Sequence, residues 1–159
     1  MAISVRQAGP EDFEAVTSLL QELGRPSVLG TPAEAAHRER YQAWLDHPDR
    51  FLFVAEDDGA VIGMIDLAFT PRLNFDSQEG WIPDLVVSEA ARSRGAGAAL
   101  LAACEDLARE RGAWGLQLES ANWRTRAHAF YVREGWSDSG HSFNKLLADL
   151  AWPPKPPEE

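Results

Sequence analysis

The sequence predicts an α/β protein: one mixed sheet with helices on both faces. Three observations carry this. Asp58-Gly59, a strong hairpin signal, joins two apolar runs, so part of the sheet is antiparallel. Apolar runs at 81–88 and 114–119 flank a segment with helical spacing, so crossover connections occur as well. Hairpins and crossover helices in one chain of 159 residues fit a single domain over 1–150.

The elements follow in order. Residues 3–6 read as a short strand. Gly9-Pro10 breaks it and opens a helix, with Pro10 in the first turn and Phe13, Val16, Leu20 and Leu23 on one face. Gly24 caps it. Thr31 and Pro32 open a second helix that runs to about Asp46. Residues 51–56 and 60–70 are the hairpin strands. Residues 71–80 read as polar and irregular, and 81–88 as a largely apolar, central strand. A helix opening near Gly95 buries Leu100, Leu101, Cys104, Leu107 and Ala108, and Gly112 closes it. Residues 114–119 form a strand, 124–134 a short helix closed by Gly135, and 136–139 and 143–150 the last two strands. The proline-rich tail, 151–159, is expected to be disordered.

Composition narrows the function. The net charge is -10, which disfavours nucleic acid as a partner. The excess of acids sits mainly in residues 1–80. No long apolar run spans a membrane and no secretion signal is visible, so a cytoplasmic location is expected. The single cysteine, Cys104, excludes a disulfide framework and reads as a small core hydrophobe. His37, His47 and His141 show no metal spacing, so no metal is expected. Arg109, Arg111 and Arg133 read as solvated helix faces.

The most informative stretch is 85–101, LVVSEAARSRGAGAALL. An apolar strand runs into a loop with two arginines, and glycines sit at the mouth of an apolar helix. The first amides of a helix lack internal partners, and the macrodipole adds positive potential there. Arg92 and Arg94 supply forked donors. The pattern reads as a diphosphate cradle, although Gly95 alone could be only a turn. A dinucleotide fold is opposed by Leu100, which stands where its third glycine belongs. The absence of Gly-Lys-Ser/Thr excludes a P-loop.

Arg92-Ser93-Arg94-Gly95-Ala96-Gly97 resembles the Gln/Arg-x-x-Gly-x-Gly/Ala signature of the GCN5-related N-acetyltransferase (GNAT) superfamily. A strand of the family type, Asp84-Leu85-Val86-Val87, precedes it. The stretch 122–136, from Asn122 through Ala127, Phe130 and Tyr131 to Gly135-Trp136, resembles the family's Asn…Ala…Tyr…Gly-Phe element, with Trp136 for the usual Phe. Some members with this Ala-His-x-Phe-Tyr pattern look like aminoglycoside acetyltransferases. The resemblance implies a mostly antiparallel sheet of six to seven strands with a splayed central pair. It implies acetyl-CoA as donor and a small-molecule amine, or a peptide or protein amine, as acceptor; a homodimer stays open. It places the pantetheine arm along Leu85, Val86 and Val87. The diphosphate falls on the amides of Arg94, Gly95, Ala96, Gly97 and Ala98, with Arg92 and Ser93 nearby, and Asn122 and Phe130 line the arm from the other side.

Acyl transfer to an amine needs a proton acceptor, an oxyanion donor, a route for the thiolate to leave, and alignment. The resemblance makes Tyr131 the acid for the leaving thiolate; the plain alternative is a helix-face residue packed on Phe130. A backbone amide near Val86 would meet the oxyanion. Relatives often carry a glutamate directly before Asp84, where this chain has Pro83, and a proline there suggests a bulge. Asp84 and Glu119 are the carboxylates left at the strand ends. Asp84 could accept the proton or be a structural acceptor, or the amine could arrive neutral. His128 should sit about 60° around the helix from Tyr131, since three residues turn about 300°, and reads as structural or as a surface contact. Trp44, Trp114 and Trp136 read as core, and Trp81 as core or acceptor wall. The acceptor is expected near the first two helices and 71–80, where Asn74, Phe75 and Asp76 are exposed-loop candidates. A non-catalytic acyl-CoA-binding regulatory module is the alternative that Pro83 keeps open.

Overall fold

In the computed structural model, which describes residues 2–148, the chain runs β1 (Ser4–Gln7), α1 (Phe13–Glu22), α2 (Glu34–Asp46), β2 (Arg50–Asp57), β3 (Ala60–Pro71), β4 (Gln78–Ile82), β5 (Leu85–Val87), α3 (Ala96–Glu110), β6 (Gly115–Leu118) and α4 (Thr125–Arg133). Two compact units are distinguished, Met1–Leu118 and Glu119–Glu159. The first holds the six-stranded sheet. Its order is β1-β2-β3-β4-β6, with β5 also on β3; all pairs are antiparallel except β4 with β6.

Alternation along β3 assigns the two faces. Met64 joins Val16 and Leu19 of α1, Leu52 and Val54 of β2, and Val86 of β5, with Tyr41, Trp44 and Leu45 of α2 packed against them. Gly63 points the other way. A Cβ there would lie 3.2 Å from the Leu100 side chain and 3.2 Å from the Val86 carbonyl oxygen. The missing side chain therefore lets α3 seat closely, with Leu100, Leu101 and Cys104 fully buried. α1 and α2 cover one face and α3 the other, as expected from hairpins mixed with crossover helices.

The strand read at 81–88 is interrupted. β3 is long enough to pair with β4 through Ala68–Pro71 and with β5 through Gly63–Ile65, and the break falls at Pro83-Asp84. Proline has no N–H to give a ladder. Repair comes from Asp66: its amide donates to the Asp84 carbonyl (3.2 Å), and the Asp84 amide donates to Asp66 Oδ1 (2.7 Å). The Asp66 side chain thus takes the place of a backbone acceptor across the expected bulge.

Several expectations are corrected. The segment 71–80 is not irregular throughout, since β4 begins at Gln78 and pairs with Pro71. The second helix begins at Glu34; Thr31 and Pro32 stand in the turn before it, where the Thr31 hydroxyl accepts from the Ala33 amide (3.2 Å). No strand occurs among 136–148; the run SDSGHS offers side-chain partners that compete with a ladder, and Phe143 and Leu147 are exposed. The remainder of the strand expected to end at 150, and the tail 151–159, lie outside the described residues. Trp114 is not core: it is 43% exposed and stacks on Phe75 at 5.0 Å. Arg111 is not a solvated face. It donates to Asp49 and to the Pro48 carbonyl (3.0 Å) and lies 4.5 Å over the Phe69 ring, tying the end of α3 to the start of β2.

Leu100→Ala is expected to cost about 2–5 kcal/mol of stability, because it leaves a cavity under α3. Chemical denaturation measures this, and a loss well below that range would contradict the seating of α3 on Gly63.

Candidate functional site

Two structural consequences of β4 and β5 make the site. β4 lies between β3 and β6, and its parallel pairing with β6 runs from Glu79–Gly115 to Ile82–Leu118. β5 pairs with β3 alone among the described residues. Beyond Ile82 the far edge of β5 is therefore open, as the splayed pair required.

The hydrogen bonds fix which groups face that edge. Ser88 donates to the Ile62 carbonyl (2.8 Å) and Asp66 to the Asp84 carbonyl. Antiparallel ladders alternate, so Val86 directs its N–H and C=O at Met64 on β3. Leu85 and Val87 direct theirs at the open edge. The oxyanion donor expected near Val86 is thus not the Val86 amide itself; the amides of Leu85 and Val87 are the ones presented.

The edge leads through a short 3-10 turn, Glu89–Ala91, to α3. Two residues in the connecting loop have positive φ, Ser93 at 64° and Gly95 at 89°. At Gly95 a Cβ would meet no atom within 4 Å, so backbone conformation and not space requires glycine there. The two left-handed residues turn the chain sharply into the start of α3. The Gly95 carbonyl accepts the first helical bond, from Ala99 (3.0 Å), and no side chain caps the helix. The amides of Ala96, Gly97 and Ala98 therefore have no partner within the helix. Ala96 is buried, whereas Gly97 and Ala98 are partly exposed. Arg92 is exposed. Arg94 is also exposed and pairs with Asp57 Oδ2 at the end of β2. Asp57 is 8% exposed, and its Oδ1 is buried with no hydrogen-bond partner among the described residues. Sequence reading found both arginines but not Asp57, which holds one of them.

Around the bulge, Arg25 from the segment after α1 donates through Nε (3.0 Å) and Nη2 to Asp84 Oδ1. Asp66 is only partly exposed, on the face that carries α1 and α2. Burial, together with the Asp84 charge, pushes its carboxyl up to about 8, against the lowering influence of the amides and of Arg25. Sequence reading passed over Asp66. The available signal was a lone carboxylate inside the apolar run Gly63-Met64-Ile65-Asp66-Leu67. Burial likewise pushes the Cys104 thiol up to about 12.

In the second unit, Asn122 stands in the turn before α4, where Arg124 donates to the Ala121 carbonyl (2.9 Å). Phe130 and Tyr131 follow on α4. The Tyr131 ring lies 5.2 Å from Phe130 and 6.0 Å from Trp136. The Trp136 amide bonds the Tyr131 carbonyl (2.9 Å) past Gly135, whose φ is 89°, so the glycine folds the chain back on the helix end. Burial holds the Tyr131 phenol above its ordinary value, and the Arg124 charge opposes this. The phenol is thus a neutral donor at physiological pH.

Two shallow clefts, of about 330 Å³ by Pro10, Phe13 and Tyr41 and about 300 Å³ by Gln7, His47 and Arg50, include none of these residues. No group of three or more His, Cys, Asp or Glu among the described residues could hold a metal. No helix among them is long and apolar enough to cross a membrane.

An open strand edge feeding the uncapped start of a helix is suited to an extended donor that ends in a diphosphate, as an acyl-CoA does. The chain belongs to the acetyltransferase (GNAT) family, whose model matches residues 14–136. It is 34% identical over 143 residues to an aminoalkylphosphonate N-acetyltransferase of Salmonella typhimurium, covering 90% of each chain. Its fold is that of glucosamine-6-phosphate N-acetyltransferase from Arabidopsis thaliana (TM-score 0.80, 18% identity, 93% and 100% of the two chains). It is also that of AAC(6')-Iy, solved with the bisubstrate analogue CoA-S-monomethyl-acetylneamine (TM-score 0.77, 19% identity, 93% and 99%). The chain is an N-acetyltransferase of this family, and the family uses acetyl-CoA.

Arg94→Glu should raise the dissociation constant for acetyl-CoA about tenfold or more, since a hydrogen bond to a charged group contributes about 1.5–3 kcal/mol. Titration calorimetry reads this directly, and unchanged affinity would refute the cradle.

Proposed function

We propose that this chain moves the acetyl group of acetyl-CoA directly onto the primary amine of a small molecule. The carrying observation is the open edge of β5 leading into the uncapped start of α3. Leu85 and Val87 would pair with the pantetheine arm, with one of their amides meeting the carbonyl oxygen as it gains charge. The diphosphate would rest on the amides of 94–98, with Arg92, Ser93 and Arg94 beside it. The family resemblance adds Asn122 and Phe130 along the arm and Tyr131 as proton donor to the leaving thiolate. Asp84 acts as a positioning residue in this reading: its Oδ1 is taken up by the Arg25 guanidinium.

The acceptor is approached first through the aminoalkylphosphonate relative. The informative panel holds aminomethylphosphonate, glucosamine 6-phosphate, an aminoglycoside and spermidine. Release of free CoA thiol with at least one of them supports the reading. Binding of acetyl-CoA with no thiol release across a broad amine set would favour a binding module.

Tyr131→Phe should lower kcat about 100-fold while the KM for acetyl-CoA stays near its original value, as expected of a lost general acid. Steady-state kinetics with the best acceptor decides this, and an unchanged kcat would remove Tyr131 from the chemistry.

A further inference from the structure

We infer that Asp66, at the β3 side of the bulge, is the group that takes the proton from the incoming ammonium. The inference rests on the acetyl-transfer reading above and supplies the role that the sequence left unassigned.

Geometry carries it. Asp66 Oδ1 accepts from the Asp84 amide at 2.7 Å, one residue before Leu85, whose own amide faces the open edge. The carboxylate is thereby fixed next to the point where the thioester arm would begin to pair. It lies on the sheet face covered by α1 and α2, because it alternates in step with Met64. The acceptor was expected near these two helices and the segment 71–80. Among the described residues Asp66 is in no ion pair, whereas the neighbouring Asp84 is held by Arg25. The charged and titratable groups facing it are Asp84 across the ladder, Arg25 beyond Asp84, and Cys104 from α3 through the sheet.

Electrostatics agrees with the geometry. Two carboxylates share the bulge and one guanidinium compensates them, on Asp84. Burial first, and the Asp84 charge second, make Asp66 hold its proton more tightly, at about 8. A proton acceptor works best when its affinity lies close to the operating pH, and an ordinary surface aspartate is too weak a base for an alkylammonium. The balance is complete. The N–H bond of the ammonium breaks and an O–H bond forms on Asp66. The neutral nitrogen then attacks the thioester carbonyl carbon and the C–S bond breaks. The proton shed by the new amide nitrogen leaves with the thiolate as CoA thiol, and Asp66 returns its proton to solvent.

A carboxyl with this character weakens the fold in a readable way. Its folded pKa lies above the unfolded value of about 3.9, so the native state binds more protons between about pH 4 and pH 8. Its contribution to stability is complete below pH 4 and is lost as pH rises through 8. Asp66→Asn keeps the oxygen that accepts from Asp84 and removes the charge. Its melting temperature at pH 9 should equal or exceed that of the original chain.

The test compares Asp66→Asn with the original chain on the best amine of the panel and on hydroxylamine, which is neutral at pH 7.5 and needs no proton acceptor. Expected results are unchanged acetyl-CoA affinity by calorimetry and kcat about 100-fold lower or more with the alkylammonium. Activity with hydroxylamine should be near normal, and the acid limb of the kcat/KM profile should disappear. An Asp66→Asn enzyme as active as the original, one equally impaired with both acceptors, or a surviving acid limb would overturn the inference. A chain that turns over no amine would instead overturn the transfer reading. Carbon-13 NMR titration of the original chain decides for Asp66 independently: a carboxyl titrating in the ordinary aspartate range refutes the inference whatever the activity.

Discussion

The structure depends on one interruption. β3 could have carried a single antiparallel partner along its length, but Pro83 offers no amide at the middle of that partner. The ladder breaks there and resumes at Leu85, with Asp66 supplying the acceptor that the backbone cannot. Because of this break, β4 stays beside β6 while β5, among the described residues, keeps only β3. An exposed strand edge is ordinarily a hazard, inviting unwanted pairing. Here it is three residues long and ends at a helix mouth, which suits it to a short extended ligand and not to another sheet.

The same economy governs the anion end. In the proposed reading backbone amides would do the binding, so the loop must hold them in place before a ligand arrives. Left-handed Ser93 and Gly95 set the curl, and Gly63 brings α3 down onto the sheet so that the curl meets the end of β5. Asp57 restrains Arg94 from below. Preorganised donors of this kind lose little freedom on binding, which is why the arrangement tolerates so few formal charges in an acidic chain.

Much of this was legible in the sequence. Apolar spacing gave α1 and α3, Asp58-Gly59 gave the hairpin, and Gly95 marked where α3 opens. Pro83 announced the bulge. What stayed hidden was long-range. Asp57 lies 37 residues before Arg94, and Arg25 lies 59 before Asp84. No local pattern records such pairings. Asp66 was passed over because its apolar neighbours made the run look like ordinary core, and Arg111 because a charged helix terminus is usually solvated. The strands expected at 136–139 and 143–150 came from counting apolar residues, where the polar run between them governs the conformation seen up to residue 148.

The burial of Cys104 has a practical consequence. It is the chain's one cysteine, it is fully enclosed under α3, and its thiol is pushed up to about 12. Only the thiolate reacts appreciably with disulfide reagents. In a colorimetric reaction that counts sulfhydryls, the folded polypeptide is therefore silent, and the yellow signal reports coenzyme alone. A slow rise in that signal without substrate would mean that the α3 side of the sheet had come open.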